Sequence, residues 1–133
     1  MSSPLGAVQR DSDNEQFLEA AARSEFVLYR CRSCGFVGGP QEKACPNCPS
    51  SEIEQCAASG GARVVSWSVV HGKRSDGHFE PQAVVVIGEL DEGPWWWSQV
   101  IDAEPSDMTT GRRLRISFEA AEGGETLPVF VLD

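Results

Sequence analysis

"YRCRSCGFVGGPQEKACPNCPSS", residues 29–51, holds two Cys-x-x-Cys pairs with ten residues between them. A Cys-x-x-Cys turn aims two sulfurs at one point while backbone amides donate to the thiolates, and two such turns complete a tetrahedral four-sulfur site. The spacing therefore assigns Cys31, Cys34, Cys45 and Cys48 to a single metal ion. Zinc is the expected ion, with iron the lesser alternative because "CPNC" suits an iron–thiolate centre as well. Closed coordination leaves no position for a substrate, so the metal is read as structural. The connecting residues "GFVGGPQEKA" carry three glycines and a proline, which suits a tight reversal between two knuckles. Redox disulfides are the competing reading, but nothing beside the pairs resembles a thioredoxin-type βαβ unit.

Upstream, "EFVLYR" (25–30) reads as a strand entering the first pair. Asp13 followed by Gln16 resembles a capping box, and Phe17, Leu18, Ala21 and Ala22 then share one face at helical spacing, predicting a short helix over 14–23. A helix of that length is unstable alone in water, so its apolar face is expected to dock on its own barrel or on another subunit. Residues 1–13 lack a hydrophobic period and read as a frayed terminus. Cys56, eight residues beyond the last ligand, reads as a small buried hydrophobe.

Downstream, the pattern changes to strands divided by turn residues: "ARVVSWSVVHG", "PQAVVVIGEL", "PWWWSQVID", "RRLRISFEA" and "TLPVFVLD". Five strands at this spacing predict a small closed sheet. "DEGP" (91–94) is a hairpin connection, and "EPSDMTTG" (104–111) a longer crossover ending in a glycine that takes a positive φ. The expected fold is mainly β: a terminus over 1–13, a short helix and metal ribbon over 14–61, and a five-stranded OB-fold barrel over 62–133.

The chain has 133 residues, 41% hydrophobic and 23% charged, the composition of a globular protein rather than a disordered one. Its odd count of five cysteines and the lack of a secretory pattern favour reduced thiols in the cytoplasm. The longest aliphatic run, "AVVVI" (83–87), is too short to span a bilayer, and no membrane association is expected. Net charge is −9. Residues 1–60 hold five Lys/Arg against eight Asp/Glu, and residues 61–133 hold six against twelve, so neither half is basic. Binding to nucleic acid rests on phosphate neutralisation, and this chain lacks that footprint. A single-strand-binding module nevertheless remains the competing class, because OB-folds stack bases on aromatic side chains.

The order of "VLYRCRSC" (27–34), "CPNC" (45–48), "SG" (59–60), "VVSWSVVH" (64–71), "ELDEGP" (89–94), "TTGRRLRISFE" (109–119) and "LPVF" (127–130) resembles the rubredoxin-like zinc-ribbon plus OB-fold proteins that accompany thiolase-fold enzymes. The resemblance covers about residues 14–133. It implies a non-catalytic subunit that binds an acyl-CoA thiolase, or a thiolase-like aldolase of steroid side-chain degradation, and that helps hold the acyl-CoA. Two departures stand out: "GGA" (60–62) replaces Gly-x-Gly, and Pro81-Gln82 stands where the family has Pro-Tyr.

The residues themselves offer no catalytic set. His71 and His78 lie in or beside the loop "HGKRSDGHFEP" and read as solvated. Lys73 and Arg74 in that loop are candidates to meet coenzyme A phosphates, as are Arg113 and Arg115, which alternate with Leu114 and Ile116 on a strand. Ordinary surface ion pairs are the plainer reading of the two arginines. Trp95, Trp96 and Trp97 cannot all enter one core, because successive strand residues point to opposite faces. Trp96 shares its side with Ser98 and Val100, which suits a barrel interior. Trp95 and Trp97 are therefore expected to face outward and to bind a partner, unless the N-terminal helix covers them.

Overall fold

A computed structural model describes residues 10–40, 44–48, 50–73, 76–120 and 124–133, with the backbone alone at 73 and 79–82. The helix forms as α1 (Glu15–Ala22). Its start differs from the expected capping box: Asn14 is the N-cap and makes no side-chain cap bond. Asp11 instead accepts the backbone N–H groups of Asp13 (2.8 Å) and Asn14 (2.9 Å) through one carboxylate oxygen. The buried face also differs by one position. Leu18, Ala20 and Ala21 are buried, whereas Ala22 is exposed. The first described residue, Arg10, pairs with Glu19 of α1 and with Glu125, so the segment before the helix is tied down at 10–14. Residues 1–9 lie outside the described residues.

Strand β1 (Val27–Cys31) pairs antiparallel with the two-residue β2 (Val37–Gly38) and with β3 (Ile53–Ala57), in the order β2-β1-β3. The sequence pattern did not announce β3, because "IEQCA" alternates only weakly and each of its residues is partly or largely exposed. It forms because β1 offers it a continuous register from Val27↔Ala57 to Cys31↔Ile53.

The remaining strands, β4 (Gly61–Lys73), β5 (Phe79–Leu90), β6 (Trp95–Val100), β7 (Arg113–Ala120) and β8 (Thr126–Leu132), close a barrel in the order β4-β5-β6-β8-β7. Closure comes from β4 pairing β7 over Gly61–Arg63 and from one parallel pair, Val100↔Phe130. The expected crossover contains a single 3₁₀ turn, Pro105–Asp107, and Gly111 takes φ +86° as the turn requires. The short connection at 91–94 closes through Gly93 N–H donating to Leu90 O (2.8 Å), with Gly93 at φ +113°.

The barrel interior is filled by Ala62, Val64, Val84, Val86, Leu90, Val100, Leu114 and Phe130. Phe26 and Leu28 of the ribbon sheet belong to the same cluster, so the metal ribbon and the barrel share one core. Period-2 alternation explains the barrel's share: Val84, Val86 and Leu90 are buried while Val85, Ile87 and Glu89 are only partly so. Gly88 is on the inward side, and an added Cβ there would sit 2.7 Å from the Phe130 ring. The Phe130 ring thus occupies the volume that any other residue at 88 would need.

Candidate functional site: a four-cysteine centre and an exposed indole face

The four Sγ atoms of Cys31, Cys34, Cys45 and Cys48 lie within 4.8 Å of one another, with Cys31–Cys48 and Cys34–Cys45 each at 3.6 Å. A tetrahedron with metal–sulfur bonds of about 2.3 Å has edges of about 3.8 Å, so the quartet is spaced to clasp one ion. The separations far exceed the ~2.05 Å of a disulfide. Topology brings the four together: Cys31 ends β1, Gly35 at φ +79° turns the chain back, and Gly35 N–H donates to Cys31 O (2.9 Å). The second pair is carried by the loop after β2 and is fastened by Cys45 N–H donating to Ser50 O (3.3 Å).

Backbone amides prepare the sulfurs for the thiolate form that a metal needs. The Cys34 and Ser33 amides hold the Cys31 thiol down to about 6, against the opposing effect of burial. The Phe36 amide, then the Asn47 side chain, lower Cys34; Asn47 Nδ2 lies 3.6 Å from its sulfur. Cys48 receives the Ser50 amide but is pushed up to about 12 by burial and by the three neighbouring sulfurs. Repulsion among gathered thiolates is what a cation relieves, so the donor set fits a metal. Cys56 stands apart on β3, partly buried against the core, and burial raises its thiol, consistent with its reading as a hydrophobe.

On β6 the three tryptophans divide as strand alternation demands. Trp96 turns inward, where its ring centroid lies 5.5 Å from Phe17 of α1 and 5.1 Å from Phe26. The helix therefore covers Trp96 and leaves the other two. Trp95 is 48% and Trp97 58% exposed. Trp97 lies opposite Ile87 and Trp95 opposite Glu89, so the indoles continue across the sheet into partly exposed Ile87 and Val85. The polar Gln99, on that same face, is nevertheless 5% exposed. A second apolar exposure, at Trp67 and Val70 of β4, was not singled out in the sequence, because both sit in a run that alternates like a core strand. There β4 has left β7 behind, their pairing being confined to Gly61–Arg63.

Of the expected basic contacts, Arg113 and Arg115 stand two residues apart on β7. Arg113 donates to both carboxylate oxygens of Asp91 (2.9 and 3.2 Å), and that guanidinium holds the Asp91 carboxyl below its ordinary range. Arg63 and Trp95 Nε1 both donate to Glu89, completing a row from Trp95 through Glu89 and Arg63 to Arg113 across four strands. Arg115 is exposed and has no ion-pair partner among the described residues. Lys73 ends β4, ten residues from Arg63, a distance of roughly 30 Å along a strand. Arg74 lies outside the described residues, and the side chains of Lys73 and Gln82 are likewise not described. His71 and His78 are exposed, and the cysteine quartet is the one convergent group of metal-ligating side chains among the described residues.

The departure at "GGA" has a structural reason. Gly60 takes φ +99°, and a Cβ on Gly61 would overlap the Asp91 carboxylate and approach Arg113. Gly60 is favoured by its positive φ, whereas a side chain at 61 would have to displace the Asp91–Arg113 pair. Among the described residues no helix is long and apolar enough to cross a membrane.

Comparison with known proteins gives a consistent placement. Residues 18–54 match the model of the ChsH2 rubredoxin-like zinc ribbon domain, and residues 55–119 that of the ChsH2 C-terminal OB-fold domain. A DUF35 domain-containing scaffold protein of Methanocaldococcus jannaschii is 38% identical over 92 residues, which are 67% of this chain and 64% of the relative. A Thermomonospora curvata protein described as "Probable enoyl-CoA hydratase alpha subunit" is 31% identical over 127 residues, 96% of this chain but 39% of that protein. The matches thus span less than two thirds of these relatives' lengths. Among solved structures, a chain of the "Ltp2-ChsH2(DUF35) aldolase" superposes with TM-score 0.79 at 28% identity, covering 94% of this chain and 98% of that one.

Proposed function

Since the chain belongs to the ChsH2-type family of DUF35 proteins, with a rubredoxin-like zinc ribbon and an OB-fold, we propose that it is a non-catalytic scaffold subunit of a thiolase-fold enzyme acting on acyl-CoA. A retro-aldolase of steroid side chains is the favoured partner and a sterol-type thiolase the second. The observation that carries this reading is the near end-to-end match to a chain of an aldolase complex, joined to two neighbouring indoles left exposed on one face. Indole buries a large area at little rotamer cost, so an exposed pair fits a lasting interface better than a solvated surface. The ion is zinc, held by Cys31, Cys34, Cys45 and Cys48, and it fixes the ribbon without taking part in chemistry. Of the candidate phosphate contacts, Arg115 best fits a role toward coenzyme A, because its charge is unspent, whereas Arg113 is engaged with Asp91.

The test is co-expression with the thiolase-fold proteins of the same organism, followed by gel filtration. One of them is expected to co-elute with this chain. The double variant Trp95→Ala/Trp97→Ala should weaken the complex by more than about 2 kcal/mol, the scale of interface hot spots, with metal content unchanged. Normal binding by that variant would remove the tryptophans from the interface.

A further inference from the structure

The two metal knuckles share a spacing, yet their third residues are used differently. Cys31-Arg32-Ser33-Cys34 places Ser33 where Cys45-Pro46-Asn47-Cys48 places Asn47. Ser33 Oγ donates to Ser50 Oγ at 3.0 Å. Asn47 instead reaches a sulfur of the opposite knuckle: its Nδ2 lies 3.6 Å from Cys34 Sγ, a length suited to an acceptor as large as sulfur. Its backbone N–H also donates to Cys45 Sγ at 3.4 Å. One residue thus serves both members of the Cys34–Cys45 pair, whose sulfurs are themselves 3.6 Å apart. The ligand it reaches across to is the most open of the four, since Cys31 and Cys45 are buried, Cys48 is half-buried and Cys34 is exposed.

A thiolate accepts hydrogen bonds and donates none, so of the two polar atoms of a carboxamide only the NH2 suits it. The chemistry of the pair therefore fixes which way round Asn47 stands. A hydrogen bond to a coordinating atom orients it and draws down its charge. An exposed thiolate is also the one that protons, chelators and electrophiles reach first. Among the described residues Asn47 is the one side chain outside the quartet that donates to a ligand sulfur. We propose that Asn47 is a positioning residue of the metal centre, which holds Cys34 in the ligand set by donating to its sulfur and so sets how fast the ion is lost. The inference rests on the four-sulfur reading of the site and deepens it by naming the residue outside the quartet on which retention depends.

The full chain loaded with cobalt(II), a coloured probe of tetrahedral sulfur sites, tests this without a partner. Two quantities are read: the energy of the sulfur-to-cobalt charge-transfer band, and the rate at which excess EDTA bleaches it. Asn47→Ala is expected to move the band to lower energy, because a sulfur relieved of its hydrogen bond gives up charge more readily. It should also speed bleaching by about tenfold or more, the scale of outer-shell losses at metal sites. Asn47→Asp keeps the size of the side chain and the backbone bond to Cys45 but sets a carboxylate against the thiolate, so it should bleach faster still. Ser33→Ala breaks the other bond between the knuckles and leaves Cys34 its donor; it should keep the band in place and bleach close to the wild-type rate. An unmoved band in Asn47→Ala, wild-type bleaching by Asn47→Asp, or equal effects from Ser33→Ala and Asn47→Ala would overturn the assignment. Should one Asn47 variant take up no metal, the other carries the comparison. A wild-type chain that binds no cobalt removes the metal reading itself, whereas a loaded wild type matched by both Asn47 variants removes only the role of Asn47.

Discussion

At Gly88 the fold depends on the absence of a side chain. The Phe130 ring fills the space a Cβ would need at 88, so Gly88→Ala should lose about 1–3 kcal/mol by overpacking, read as a lower urea midpoint with unchanged slope. The Asp91–Arg113 pair makes a second, pH-dependent prediction. Arg113 holds Asp91 below its ordinary value of 3.8, so the pair's contribution is present above about pH 4 and is lost as pH falls through the depressed folded value. Thermal melts should therefore separate wild type from Arg113→Ala slightly at neutral pH, and the two should converge in acid. Both groups are largely solvated, which keeps the effect small; a gap that widens in acid would contradict the sign. At this scale the sequence was informative where alternation or spacing governs, as in the three tryptophans and four cysteines. The bond from the Ser59 backbone N–H to Glu92 carried no such pattern, because the β5–β6 turn and the ribbon-to-barrel link meet only in the folded chain.

Among the elements, the ribbon sheet and helix α1 are too small to stand alone, and each is fixed by something outside itself. Phe26 and Leu28 tie β1 to the barrel core, Phe17 ties α1 to Trp96, and the four cysteines are placed so that one metal ion would tie β1 to the loop after β2. Stripping the metal with a chelator should therefore loosen β1, β2 and β3, lower the melting temperature and expose apolar surface to a hydrophobic dye, since metal binding is coupled to folding at such sites. An unchanged melt after complete metal loss, verified by elemental analysis, would show the sulfurs to be dispensable. The barrel strands were legible from hydrophobic period and turn residues. Strand β3 was not, because its pairing is dictated by β1 rather than by its own residues. The helix N-terminus differed because an Asx-type contact from Asp11 replaced the expected box.

The molecule as a whole is acidic and open at its indole face, and the four cysteines are the one convergent metal-ligating group among the described residues. The likeness in motif order was visible in the sequence. The coverage of the indoles was not, because whether α1 lay over Trp96 or over its neighbours depended on tertiary docking. The central claim is that the chain works only as part of a heteromer, and the most direct measurement is the mass of the native assembly. The tagged chain should be purified from its own host, washed in high salt and weighed by light scattering, with each component identified by mass spectrometry. The account predicts a stoichiometric complex with a thiolase-fold enzyme, one metal per copy of this chain. A monomer or homomer that carries its metal and instead binds single-stranded DNA with a steep salt dependence would contradict it.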